Sequence, residues 1–371
     1  MATHEPYPMH GGQLRQIAER FEIPLSELSD FSANINPEGP PAGALDAMRR
    51  ALEEPATLMD YPDLQETELK REIARYVAVQ AESITVANGF VPLLEAALRA
   101  LRIRRCLLPV PAFVEYRRTL ERLGVEIETR GLSSDNCFGY DPVHMLDERY
   151  DAILLANPQN PSGVCHSAHE MRALVAQASS RKMVVLLDEA FIDYLPERSL
   201  TTMTDEFPNL IVFRSVTKFH GMPGLRVAYA VANPTVSCAI SDGLPPWPIT
   251  TIASRGVGAA LDDQDYPLRA RSRNEEHREV LRQRLEMLGL TVYPSAANFL
   301  LFQLRSDEGF RIDSDRFWRH MIVHHRIVLR ACGNYEGLGP GHFRVAVRGA
   351  EENEQLVTAI EASLTQLRGG D

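Results

Sequence analysis

The chain is predicted to fold as an α/β protein, with a large domain built on a mainly parallel sheet and a smaller α+β domain. Three observations carry that prediction. Apolar runs of strand length alternate with helical patterns between residues 83 and 231. Those runs do not alternate apolar with polar residues, so the strands are expected to be buried on both faces, as in a parallel sheet covered by helices. After Pro245-Pro246-Trp247-Pro248 the pattern changes to a long charged helix followed by short strands and helices, and the proline cluster is the expected joint.

Taken in order, residues 12–20 have the spacing of a short amphipathic helix. The segment D-F-S-A-N-I-N-P-E-G-P-P, residues 30–41, is rich in turn formers and reads as an extended loop. Helices are expected over 41–52 and, after Tyr61-Pro62-Asp63, over 64–77. Strands are expected over 83–87, 106–110, 151–156, 183–188, 210–215 and 226–231, with helices over 92–101, 115–123 and 168–180 between them. Beyond the joint come a helix over 268–288, strands over 291–293 and 298–303, a helix over 316–324, strands over 327–330 and 343–347, and a last helix from 351. The expected division is an N-terminal arm, 1–40, serving the small domain and the active site, a large cofactor-binding domain, 41–248, and a small domain, 249–371. Open sheets of this kind bind ligands at the carboxyl ends of their strands.

Composition narrows the partners. With 39 basic and 50 acidic residues the net charge is -11, and there is no basic run, so nucleic acid is not expected. An acidic chain that binds an anion must do so with a few local arginines. The five cysteines are scattered without C-x-x-C spacing, which argues against a disulfide framework and against zinc. The first residues, M-A-T-H-E-P-Y-P-M-H, lack a basic and apolar leader, and no apolar stretch is long enough to cross a bilayer. A reduced, cytoplasmic protein without membrane attachment is expected.

The most informative stretch runs from Ser215 to Arg226, S-V-T-K-F-H-G-M-P-G-L-R, with Asp188 ending an apolar strand upstream. A hydroxyl three residues before Lys218 and an arginine eight after it suit a phosphorylated aldehyde cofactor held as a Schiff base. Lys218 supplies the amine, and Ser215 and Arg226 grip the phosphate. Asp188 faces the pyridine nitrogen, because pyridoxal phosphate (PLP) needs a carboxylate there to stay protonated and act as an electron sink.

These residues bring out a resemblance to the fold-type I PLP enzymes of the aspartate aminotransferase superfamily. Within it, the chain is similar to histidinol-phosphate aminotransferases and most of all to the threonine-phosphate decarboxylases of cobalamin biosynthesis. The resemblance rests on H-G-G, D-F-S-A-N-I-N-P, D-E-A-F-I-D-Y, T-K-F…P-G-L-R and L-R-A-C-G-N-Y-E-G-L…F-R-V-A-V-R, and it runs nearly end to end. It implies that Lys218 carries the cofactor and moves protons at the substrate Cα, and that Asp188 pairs with the ring nitrogen. It further implies that Asn160 donates to the ring hydroxyl oxygen and that Phe113 stacks on the ring. The cofactor phosphate is expected against Gly89, Phe90 and Val91, where a helix N-terminus offers free N–H groups. Phe90 departs from the family's usual Ser or Thr, which leaves more of the phosphate to Ser215, Arg226 and backbone amides. Tyr61 is implied to reach the phosphate from a partner subunit, so a homodimer with shared active sites is expected.

For the substrate, a small anionic amino acid, the resemblance points to His10, Asn34, Arg330 and Arg344. Two arginines and a histidine suit two anionic groups, and arginine's planar fork suits carboxylate or phosphate. Phe191 stands where aminotransferases usually carry a tyrosine, which favours the decarboxylases. Thr250 and Gln13 stand where relatives often have asparagine, and could mark an altered substrate preference. Arg348 reads as a solvated strand-end charge, and His324-His325 as a helix end and not a metal pair. The expected reaction is decarboxylation of O-phospho-L-threonine to 1-amino-2-propanol phosphate. The alternatives are a histidinol-phosphate-type aminotransferase, or a decarboxylase of a related phosphorylated or phosphonylated amino acid. A non-catalytic PLP-binding regulator would need a DNA-binding appendage, for which the sequence shows no basic helix.

Overall fold

The computed structural model describes residues 7–141, 145–147, 149–304 and 312–368. Strand β1 (Ser29–Asp30) lies in the N-terminal arm. Seven strands then form one sheet: β2 (Ile84–Asn88), β3 (Arg105–Val110), β4 (Glu126–Gly131), β5 (Ala152–Ala156), β6 (Val184–Asp188), β7 (Leu210–Ser215) and β8 (Val227–Val231). Their order is β2-β8-β7-β6-β5-β3-β4. β8 is antiparallel to both β2 and β7, and the other neighbours are parallel. Two reversals restore direction, so β2 runs the same way as the parallel strands. The carboxyl ends of β2, β3, β5, β6 and β7 and the amino end of β8 therefore share one edge.

The continuous apolar runs have a direct cause. Ile153, Leu155 and Leu187 enter one core, while Leu154 and Leu186, next to them in sequence, enter the core on the other face. Strand β4 was not expected, because E-I-E-T-R-G carries no apolar run. It is the last strand of the sheet and is half exposed, and such an edge is commonly polar.

The rest of the strands are β9 (Thr291–Val292), β10 (Phe299–Gln303), β11 (Ile327–Val328), β12 (Arg330–Ala331) and β13 (His342–Ala346). An antiparallel sheet forms in the order β12-β13-β10-β9, and β11 pairs in parallel with β1. The single strand expected over 327–330 is thus two strands, since the chain leaves β1 after Val328 and joins β13 at Arg330. That switch sets Arg330 directly opposite Arg344 in the register. Residues opposite each other in an antiparallel pair share a face, so both guanidinium groups emerge on the same side.

The expected boundary after residue 248 does not fall between the two cores. The helix Thr251–Asp262 puts Ala253, Val257 and Ala260 into the large sheet's core beside Leu69 and Ile73. Its glycines allow the close approach: a Cβ on Gly256 would lie 2.8 Å from Met48 Cγ. Ile17 and Phe31 of the arm join the other core, with Leu300, Trp318 and Leu356. Among the described residues no helix is long and apolar enough to cross a membrane.

Candidate active site

The shared edge of the large sheet faces the Arg330–Arg344 pair across a cavity of about 330 Å³. Each strand end contributes. Gly89 follows β2, Phe113 follows β3, Asn160 follows β5, Asp188 ends β6, Ser215 ends β7 and Arg226 precedes β8. Lys218 lies in the turn between Ser215 and Arg226, and His10 and Asn34 come in from the N-terminal arm. All the residues expected to form the site line this cavity except Tyr61, which is 80% exposed and stacks on Trp247 at 4.6 Å between ring centroids.

Asp188 is buried, and burial pushes its carboxyl above the usual aspartate range. Three interactions oppose that. The Tyr116 hydroxyl donates to Oδ2 at 2.6 Å, the Ala190 N–H donates to Oδ1 at 2.9 Å, and Lys218 supplies positive charge. Lys218 is shifted the other way, from 10.5 down to about 8, by burial and then by the like charges of Arg344 and Arg226. An amine lowered in this way is partly neutral near neutral pH, as a nucleophile or a proton carrier must be.

Gly89 caps the helix Phe90–Ala100 with φ of 94°, in the left-handed region that favours glycine, and a Cβ there would lie 2.7 Å from Arg226 Nη2. No side chain caps this helix, so the N–H groups of Phe90 and Val91 are left for an anion. The Phe90 ring turns into the core and packs on Tyr116 and Phe213, with centroids 5.6 and 5.2 Å away. Ser215 Oγ lies 2.9 Å from Thr217 Oγ1, which puts a second hydroxyl at the cavity wall.

Arg344 is held by Asn160 Oδ1 and by the Ser32 carbonyl at 3.2 Å, over the Phe299 ring. Arg330 donates to the Ala331 carbonyl, to the Met9 carbonyl at 2.7 Å and to Asn334 Oδ1 at 3.0 Å, over the Tyr335 ring. These partners are neutral. Arg344 Nε and Asn34 Oδ1 are buried without a hydrogen-bond partner among the described residues. His10 Nε2 lies 3.0 Å from Glu115 Oε1. Burial, then the charges of Arg330 and Arg118, hold the imidazole below its usual range, and Glu115 opposes them.

Tyr116, Thr217, Glu115 and Tyr335 line the cavity and were missed in the sequence reading. Position could have flagged two of them, since Tyr116 stands one helical turn after Phe113 and Thr217 adjoins Lys218. The two departures expected to bear on substrate have local roles. Thr250 Oγ1 accepts from the Ala253 N–H at 3.2 Å and caps the helix Thr251–Asp262. Gln13 Oε1 accepts from the His10 N–H at 2.9 Å and braces the arm. Arg348 lies outside the cavity, bonded to the Asp30 carbonyl and to Glu352, each at 2.7 Å.

The donor set fits PLP. There is an amine near neutrality, a fixed carboxylate, an uncapped helix end beside Arg226, and an aromatic ring, Phe113, on the wall. The comparisons agree. The family described as aminotransferase class I and II matches residues 26–360. The chain is 32% identical over 368 residues to the threonine-phosphate decarboxylase of Salmonella typhimurium, covering 98% of each chain. It is 30% identical over 350 residues to histidinol-phosphate aminotransferase 1 of Nitrosococcus oceani, covering 91% of this chain and 89% of that one. The structure of histidinol-phosphate aminotransferase from Sinorhizobium meliloti in complex with pyridoxal-5'-phosphate superposes with a TM-score of 0.83 at 22% identity, covering 96% of this chain and 98% of that one.

Proposed function

Given that the chain belongs to the class I and II aminotransferases, in the PLP-binding clade of histidinol-phosphate aminotransferases and threonine-phosphate decarboxylases, we propose that it decarboxylates O-phosphothreonine to 1-amino-2-propanol phosphate. The observation that carries this reading is the register pair Arg330 and Arg344, two buried cations on one cavity with neutral partners. A substrate with a carboxylate and a phosphate supplies one anion to each.

PLP bound there supplies an electron-withdrawing ring that takes up the electron pair left at Cα when a bond to that carbon breaks. The chain's residues do the rest. Arg344, steered by Asn160, and Arg330, steered by Asn334, orient the substrate by its two anions. The bond from Cα to the carboxylate carbon breaks, CO2 leaves, and Lys218 Nζ delivers a proton to Cα. Phe191 brings no hydroxyl to this wall. Tyr61, outside its own chain's cavity, would serve the site of a second copy in a homodimer.

The second reading is a histidinol-phosphate-type aminotransferase, and the comparisons lean toward it. Such enzymes recur among the relatives and among the similar structures. The two arginines also suit the two carboxylates of a keto-acid acceptor. Substrate incubation separates the readings. Decarboxylation predicts CO2 from phosphothreonine without any keto acid. Glutamate formed from histidinol phosphate and 2-oxoglutarate, with no CO2 from phosphothreonine, would overturn it.

A further inference from the structure

The Tyr116–Asp188 hydrogen bond has a role in neither reading of the reaction so far. Tyr116 lies in the first turn of the helix Val114–Arg122 and is fully buried. Its hydroxyl donates to Asp188 Oδ2 at 2.6 Å, a short contact of the kind made to an ionised acceptor. The ring is seated by aromatic edges. Phe113 meets it at 89° and Phe90 at 55°, each with a centroid 5.6 Å away. The Phe90 ring, at the start of the phosphate-facing helix, also packs on Phe213, so it braces Tyr116 from the core side.

We propose that Tyr116 is a positioning residue for the cofactor ring: its hydroxyl fixes the Asp188 carboxylate and keeps it the weaker base, so that the shared proton stays on the ring nitrogen. The inference rests on Asp188 as the partner of that nitrogen and is independent of which bond at Cα is broken. The other groups that act on Asp188 are the Ala190 N–H, Lys218 and the Tyr140 phenol. Lys218 is no constant partner, since it is the proton carrier. Tyr140 is committed to the Ala156 carbonyl at 2.8 Å. Burial drives Asp188 toward its neutral form, and the Tyr116 bond is the largest interaction opposing it. A neutral Asp188 would mean that the proton had left the ring, which would weaken the electron sink.

Tyr116→Phe removes one oxygen and keeps both aromatic contacts. The test loads the wild type, Tyr116→Phe and Asp188→Asn with PLP labelled with nitrogen-15 in the ring and records the ring-nitrogen resonance at one pH. The wild type should show the pyridinium position, and Tyr116→Phe should shift toward neutral pyridine with an unchanged circular dichroism spectrum. Its kcat should fall about tenfold, the worth of one charge-assisted hydrogen bond, while KM stays near the wild-type value. A wild-type resonance in Tyr116→Phe together with a shifted one in Asp188→Asn overturns the role of Tyr116 alone. A wild-type resonance in Asp188→Asn removes Asp188 as the ring partner, and the inference falls with it.

Discussion

Arg330 and Arg344 are 2% and 6% exposed, yet their hydrogen bonds run to carbonyls and amide oxygens. A buried cation without a counter-charge carries a desolvation cost of several kcal/mol, which an incoming anion relieves. Arg330→Ala and Arg344→Ala are therefore expected to weaken phosphothreonine binding by about 2–5 kcal/mol. Cofactor binding should change far less, because Ser215, Arg226 and the Phe90 and Val91 amides are the expected phosphate partners. Titration of each variant with PLP and with phosphothreonine measures both effects. For the same reason threonine should be a poor substrate, since one arginine would face no anion. Equal rates on threonine and phosphothreonine would remove the second anion site and with it the phosphothreonine reading. Ser215, Lys218 and Arg226 were legible because they lie within one short segment. The bond from Tyr116 to Asp188 was not, because the two lie 72 positions apart.

At the scale of elements, the cavity is made where six strand ends meet one helix N-terminus. Gly89 stands at that junction, between β2 and the helix Phe90–Ala100. Alanine there must hold a φ of 94° and bring its Cβ within 2.7 Å of Arg226 Nη2. Gly89→Ala is expected to cost ~1–3 kcal/mol of stability from backbone strain. It should also weaken PLP binding more than substrate binding, because Arg226 must move away. Thermal unfolding of the apoprotein and PLP titration check the two effects, and an unchanged PLP affinity would remove Gly89 from the phosphate site. Most elements were legible from apolar period. β4 was not, because a polar edge strand lacks the signal. The helix Thr251–Asp262 was not, because its small residues are selected by close packing and not by an apolar stripe.

At the scale of the molecule, Tyr61 stands apart from the cavity that the rest of the expected site lines. It lies in an exposed apolar neighbourhood with Leu58, Met59 and Trp247. If a second copy covers this surface and receives Tyr61 in its site, inactive Tyr61→Ala and Lys218→Ala chains should complement each other. A random mixture of the two forms some dimers with one intact site, so activity should return on mixing and reassociation. No recovery, with Tyr61→Ala alone inactive and dimers present by sedimentation, would count against a shared site.

The sequence by itself determined the elements that follow a regular period and the chemistry carried by short segments. The lysine, its neighbouring hydroxyl and arginine, and the acid at a strand end are local features, and local spacing encodes them. Tertiary structure decided which distant groups meet. Strand order brings Asn160 against Arg344, 184 positions away, and the switch of sheets at Leu329 sets Arg330 beside Arg344. It also packs the Phe90 ring on Tyr116, makes Thr250 a helix cap and makes Gln13 a brace for the arm. The physical reason is that period records which face of an element is buried, whereas the partner on that face is chosen by the path of the chain.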